Sequence, residues 1–272
     1  MPAERPDAAL GHPRVAGAVV ARAAIPSLTV AWDAPDSVGA LMSTRHGGTS
    51  AGAYDSLNLG DHVGDAPTAV AANRARWSAL MSGVQPAWLK QVHGAVVVDA
   101  ARALRQGRAA PADGSWTREP GVACVVQVAD CLPVLFAARN GRAVGAAHAG
   151  WRGLAMGVVE RTAEAVAKAA GCGPEALSCW LGPCIGPSRF EVGSEVVDAL
   201  GGGPRFVSRS RADGQPRWLA DLPGLTRDRL QVLGLRGVAG GTWCTVNDPS
   251  SFFSFRRDGV TGRMAAAVWL RP

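Results

Sequence analysis

The sequence predicts a single α+β domain, and three observations carry that expectation. The chain has 272 residues, 47% of them hydrophobic, which is enough to bury one sizeable core. Apolar runs of strand length are interspersed with segments of helical period. No internal repeat or linker divides the chain.

The elements follow in order. Residues 1 to 27 lack a clean period and read as a loose N-terminal arm, with the domain occupying 28 to 272. Val38 to Thr44 reads as a strand running into a Gly-rich loop, His46 to Gly52. Asp65 followed by Pro67 marks a helix start, so Thr68 to Met81 reads as helix, closed by Gly83. Trp88 to Val98 is expected as a strand containing Gln91-Val92-His93. Val122 to Ala138 is the densest apolar stretch. Asp130 and Pro133 interrupt it, so it reads as two strands meeting at an irregular junction. Ala143 to Ala147 is a short strand ending at His148. Leu154 to Ala170 has helical spacing and stops at Gly171. Leu177 to Leu181 reads as a buried strand, Ser194 to Leu200 and Leu219 to Leu233 as short helices. Gly241 to Val246 and Met264 to Leu270 are expected as closing strands.

Lys and Arg number 28 against 22 Asp and Glu, a formal net charge of +6. The arginines are spread along the chain rather than gathered in one run, so they read as solvated surface and imply no nucleic-acid partner. Single Arg side chains remain suited to phosphate. No stretch approaches a membrane span, and Met1 to Leu10 lacks the basic start and apolar run of a secretory signal. Six cysteines, several inside apolar stretches, therefore read as reduced, and the expected location is the cytoplasm.

Most named signatures are absent: there is no CxxC, HExxH, Walker A or GxGxxG pattern, and no zinc-deaminase His-x-Glu. Gly48-Thr49-Ser50-Ala51-Gly52 fits the serine-hydrolase pattern, but it sits in loop rather than at a strand-to-helix elbow. His93, Cys131 and His148 are more informative, because each is expected near the end of a strand. Two imidazoles and a thiolate suit zinc and leave a fourth position open. The same atoms also fit a Cys131 nucleophile with His148 as base, or a buried Cys with ordinary surface histidines. Arg152 and the amides of Gly150 to Leu154 stand at a helix start suited to phosphate. Arg45 and Asn58 bracket the Gly-rich loop and are candidate polar contacts.

Several segments together resemble one family. They are Thr44-Arg45-His46-Gly47-Gly48, Ser56 to Gly60, Gln91-Val92-His93-Gly94, Ala129 to Val134, His148 to Gly153, Leu181-Gly182-Pro183, Ile185-Gly186-Pro187 and Ser254 to Asp258. From about residue 28 onward the chain resembles the YfiH family, also described as peptidoglycan editing factor PgeF or the multicopper polyphenol oxidase (laccase) domain. The resemblance implies a four-layer α/β/β/α sandwich, similar to the deamidase domain of a bacterial cytotoxic necrotizing factor. It implies zinc on His93, Cys131 and His148, with copper the less favoured ion. The implied activity is phosphorolysis of adenosine, inosine, guanosine and methylthioadenosine, plus deamination of adenosine, so the partners are purine nucleosides and phosphate. Phosphate would fall to Arg152, with Arg45 and Asn58 nearby. Catalytic roles map to Cys131 and His148, with Asp130 the nearest acid/base candidate. Cys184 is an extra thiol beside the implied site.

The oxidase description meets a simple count. A trinuclear copper cluster wants about eight imidazoles, and the chain has five histidines. Three functional hypotheses remain: a zinc-dependent nucleoside phosphorylase, a cysteine-type hydrolase acting on a cell-wall precursor or other amide, and a metal-stabilised binding protein without turnover.

Overall fold

Alternation along one strand, Val122–Val128, sets the layers of the molecule. Successive side chains of a strand point to opposite faces, and both faces here are apolar. Cys124, Val126 and Val128 turn one way, with Met264, Ala266 and Val268 of the antiparallel neighbour Met264–Leu270, onto Leu135, Ala137, Val144 and Ala146. Ala123 and Val125 turn the other way, with Ala265, Ala267 and Trp269, onto Leu57, Leu59, Trp77 and Met81. A third core lies beyond the second sheet, where Val134, Phe136, Ala138 and Ala147 meet Val159, Ala163 and Val166. Three cores separate four layers: helix Pro67–Ser78, a five-stranded sheet, a six-stranded sheet, and helix Val158–Ala170. This is the α/β/β/α order expected. The computed structural model describes residues 25–107, 109–210 and 213–272, so nearly all of the expected N-terminal arm, 1–24, lies outside the described residues.

The first sheet runs Ser27–Leu28, Val38–Ser43, Met264–Leu270, Val122–Val128, Gln85–Ala87; the second runs Gly237–Gly240, Leu177–Leu181, Leu132–Ala138, Val144–Ala149, Gly114–Thr117, Val97–Asp99. The two halves of the 122–138 apolar stretch therefore belong to different sheets. The chain crosses between them at Ala129-Asp130-Cys131, where Asp130 takes a left-handed φ of 91°. Pro133 is only the second residue of its strand, where a missing N–H is tolerated. Close contact between the second sheet and its helix depends on two glycines. A Cβ at Gly114 would meet Thr162 Oγ1 at 2.4 Å, and one at Gly145 would meet Val166 Cγ2 at 2.5 Å.

Four expected elements differ. The strand foreseen over Trp88 to Val98 is two short strands, Leu89–Lys90 and Val97–Asp99, around a loop that carries His93 at φ 58°. The helix foreseen from Leu154 divides into Trp151–Ala155 and Val158–Ala170, because Gly157 adopts φ 84° between them. Leu219 to Leu233 splits at Asp221: Arg217–Ala220 is strand, and the Asp221 side chain caps helix Leu222–Val232 through the Gly224 amide. The strand expected at Gly241 to Val246 lies earlier, at Gly237–Gly240, pairing in parallel with Leu177–Leu181. Strand Gly114–Thr117 had no clear apolar signal, since it reads Gly-Ser-Trp-Thr.

Candidate metal centre

The sheet crossing places Cys131 at the start of Leu132–Ala138. Its hydrogen-bonded neighbour Val144–Ala149 ends beside it with His148, and the loop after Leu89–Lys90 brings in His93. The donor atoms of His93, Cys131 and His148 all lie within 4.8 Å of one another. No fourth His, Cys, Asp or Glu joins them among the described residues.

One residue organises this cluster, and the sequence did not single it out. Asp113 is fully buried. Its Oδ1 accepts from the His93 amide (3.0 Å) and lies 2.8 Å from His148 Nδ1; its Oδ2 accepts from the amides of Val92 (3.1 Å) and Gly94 (2.7 Å). The amide contacts fasten the loop that holds His93 in its left-handed conformation, which an L-residue enters at a cost. Because a carboxylate only accepts, Nδ1 of His148 carries a proton, which leaves Nε2 as the nitrogen available to a metal. The only signal in the sequence was the Asp-Gly pair ahead of an otherwise polar strand.

The charge state follows from the same contacts. Burial pushes the Cys131 thiol up, but the imidazoles of His148 and His93 outweigh it and bring it down to about 6. Burial works against a charged His148, while the Cys131 thiolate and Asp113 raise it to about 9. Asp113 itself is held below the ordinary carboxylate range: burial opposes its charge, and the His148 contact and loop amides win. Without a metal, Cys131 and His148 therefore stand as a thiolate beside an imidazolium, and a metal binding here would displace the His148 proton at Nε2. Space is also reserved. A Cβ at Gly150 would lie 2.9 Å from Cys131 Sγ and 3.1 Å from His93 Cδ2, so a larger residue would push two of the donors. Three such donors fit zinc with one position left open.

The cluster opens into a cavity of about 450 Å³, the size of a small-molecule site. Trp151, Ile185, Phe190, Leu222 and Phe255 supply apolar walls, while Arg152, Arg256 and Arg263 bring cationic groups. Arg256 donates to the Glu191 carbonyl, and Arg263 to the carbonyls of Thr261 and Gly262. Arg152 lies 4.2 Å from the Trp151 ring and has no hydrogen-bond or ion-pair partner among the described residues.

Other candidates go elsewhere. Asp130 lines the cavity, but its Oδ1 accepts from the Thr245 hydroxyl (2.5 Å) and its Oδ2 from the Arg256 amide (2.6 Å), so both oxygens brace the wall. Arg45 and Asn58, expected to touch phosphate, are not in the lining. Arg45 donates to the carbonyls of Asp55 and Pro249 and covers Phe253. Asn58 is buried, donating to Asp65 and accepting from the amides of Gly60 and Arg263. Ser50 of the serine-hydrolase pattern donates to Asp65 and accepts from Asn73, a loop brace. Cys184 is fully buried beside Cys244, outside the lining. The helix expected to bind phosphate at its start is only five residues long, so any anion site there depends on the Arg152 side chain.

Gln91 has a role that its motif did not disclose. Beyond Ala87 the edge of Val122–Val128 loses its parallel partner, and the Gln91 carboxamide replaces it: Oε1 accepts from the Gln127 amide (2.7 Å), and Nε2 donates to the Gln127 carbonyl (2.8 Å). This ties the His93 loop to the first sheet.

Comparison with known proteins agrees with this architecture. The family model described as multi-copper polyphenol oxidoreductase laccase matches residues 39–271. A purine nucleoside phosphorylase of Pseudomonas aeruginosa is 47% identical over 251 residues, covering 90% of this chain and 98% of that protein. The purine nucleoside phosphorylase YfiH of Escherichia coli is 45% identical over 240 residues, 88% of this chain and 96% of that one. Among solved structures, a Neisseria meningitidis protein assigned to DUF152 superposes with a TM-score of 0.83 at 47% identity, covering 90% of this chain and 99% of its own. YlmD of Geobacillus stearothermophilus superposes with a TM-score of 0.78 at 34% identity, covering 87% and 93%. The match runs through both sheets and all three cluster residues, and the chain belongs to the multi-copper polyphenol oxidoreductase laccase family, the YfiH/DUF152 group.

Proposed function

We infer that the chain is a zinc-dependent purine nucleoside phosphorylase that also deaminates adenosine. The observation that carries this is a three-donor cluster that no fourth protein ligand joins among the described residues, opening into a nucleoside-sized cavity beside Arg152, which has no hydrogen-bond or ion-pair partner among those residues. The names of relatives at 45% and 47% identity support the phosphorylase half of the reading.

When bound, the ion would supply Lewis acidity and an activated water at the open position. The remaining work falls to the chain. Arg152 holds inorganic phosphate through charge-assisted hydrogen bonds, oriented by its stacking on Trp151. In phosphorolysis a phosphate oxygen bonds to C1′ of the ribose as the bond from C1′ to N9 breaks. The electron pair leaves with the purine, which takes up a proton, and ribose 1-phosphate remains. Deamination replaces the 6-amino group by oxygen from water and releases ammonia. Asp113 keeps His148 in one tautomer throughout, and Asp130 positions the Arg256 wall. Expected substrates are adenosine, inosine, guanosine and methylthioadenosine.

The test uses metal-loaded protein and adenosine with and without phosphate. Adenine and ribose 1-phosphate should appear only with phosphate, and inosine should form independently of it. Absence of product from every purine nucleoside refutes the reading.

One observation favours a second reading: Cys131, His148 and Asp113 form a thiol–imidazole–carboxylate chain like that of a cysteine hydrolase acting on an amide, for example in a cell-wall precursor. His93 has no place in such a chain, whereas a metal site requires it. Amide hydrolysis that survives chelation and is abolished by Cys131→Ser would establish the second reading.

A further inference from the structure

The cavity contains one polar side chain that no group among the described residues satisfies. Gln127 is 4% exposed and lines the cavity, yet its Oε1 is buried with no hydrogen-bond partner. Among the described residues no group bonds either end of its carboxamide, while its backbone is fixed on both sides. Gln91 clamps one edge, and antiparallel pairing with Ala265 holds the other. The residue therefore has a fixed base, and the only torsion that exchanges the two ends of its carboxamide is its last side-chain bond, one with broad preferences.

Leaving such a group unpaired is unfavourable, so its retention beside a ligand cavity asks what completes it. The same cavity is lined by the aromatic rings of Phe190 and Phe255, which suit a planar heteroaromatic ring. A glutamine carboxamide matches the edge of a purine formed by position 6 and N7. Against a 6-amino purine its oxygen accepts from the amino group while its NH2 donates to N7. Against a 6-oxo purine the turned carboxamide donates from its NH2 to O6 or N7.

We propose that Gln127 reads the 6-position edge of the purine and lets one site take both 6-amino and 6-oxo bases by turning its carboxamide. This rests on the purine reading above and adds the residue that sets base preference. It also accounts for the lack of an internal partner, because any hydrogen bond locking one orientation would exclude one class of base.

The test is equilibrium binding of adenine and of hypoxanthine to the metal-loaded protein by calorimetry, without ribose 1-phosphate, so that nothing turns over. Wild type should bind the two bases with affinities within about tenfold of each other. Gln127→Glu, which only accepts when ionised, should shift the preference toward adenine by tenfold or more. Gln127→Leu should weaken both by about fivefold or more without changing their ratio. Thermal unfolding of each variant checks that the fold is retained. A Gln127→Leu protein that folds and binds both bases as tightly as wild type overturns the proposal, as does an unchanged ratio in Gln127→Glu. Wild type that binds neither base overturns both this proposal and the purine reading. Binding that responds to Gln127 in a protein without phosphorolysis would support this proposal and refute only the proposed reaction.

Discussion

Replacing Asp113 by Asn tests the organisation of the metal centre, because it changes the charge and two donor–acceptor relations while keeping the shape. Each carboxylate oxygen serves two donors: Oδ1 meets the His93 amide and His148 Nδ1, and Oδ2 meets the amides of Val92 and Gly94. An asparagine has one oxygen, so whichever way it sits, two of the four donors face an NH2. Hydrogen bonds to charged groups contribute about 1.5–3 kcal/mol each, so losing two predicts about 3–6 kcal/mol of destabilisation. That is a large share of the roughly 5–15 kcal/mol typical of a folded protein. If the NH2 faces His148, the imidazole must move its proton to Nε2, and a ligand is lost. If it faces Val92 and Gly94, the loop that carries His93 loses two of its three amide contacts. Either way metal affinity should fall about 10–100-fold, as for other outer partners of ligating histidines. Urea denaturation of the metal-free protein reads the first quantity, and competition against a chelating indicator reads the second. An Asp113→Asn protein with wild-type midpoint and metal affinity would refute the argument.

Gly150→Ala should separate the two readouts: the added Cβ crowds Cys131 Sγ and His93 Cδ2, so metal affinity should drop while the metal-free unfolding midpoint changes less than in Asp113→Asn. In metal-free protein, the Cys131 pKa lies below that of an ordinary thiol, so the thiolate persists as pH falls until about 6 and is lost below it. Alkylation of Cys131 by iodoacetamide should therefore keep its rate down to about pH 6 and then decline. Cys124, which burial pushes up to about 12, should resist alkylation at neutral pH. Protein loaded with copper should show no sustained four-electron reduction of oxygen with phenolic substrates, as an oxygen electrode would record.

The fold was legible where side-chain period and burial agree. Val122–Val128, Leu132–Ala138 and Met264–Leu270 are buried on both faces, so long apolar runs marked them. The loop around His93 was not legible, because Trp88 to Val98 has strand composition throughout. Its break comes from Asp113, twenty residues later, which takes three amides that a ladder would have used. The three donors could be chosen from the sequence because few residue types ligate a metal well. Their supporting residues could not, since a buried Asp, a Gln filling a sheet edge and an Asp130 bonded to Thr245 look like ordinary polar residues along the chain.

The family description joins copper and laccase chemistry, and the placement of the histidines bears on that directly. His46 turns to the Ser250 carbonyl, and His62 stands exposed at the cavity rim beside Asp61. His12 lies outside the described residues. Among the described histidines only His93 and His148 approach a common point, and Cys131 supplies their third partner. Even if all five histidines converged, they would fall short of the about eight imidazoles of a trinuclear copper cluster. A single ion in this cluster would have to pass electrons to oxygen one at a time, with no second metal to store them. Hydrolytic and phosphorolytic chemistry needs no such store, because it moves electron pairs between substrate atoms. One ion held by the three donors, with Arg152 beside it in a 450 Å³ cavity, would be sufficient for the chemistry proposed above.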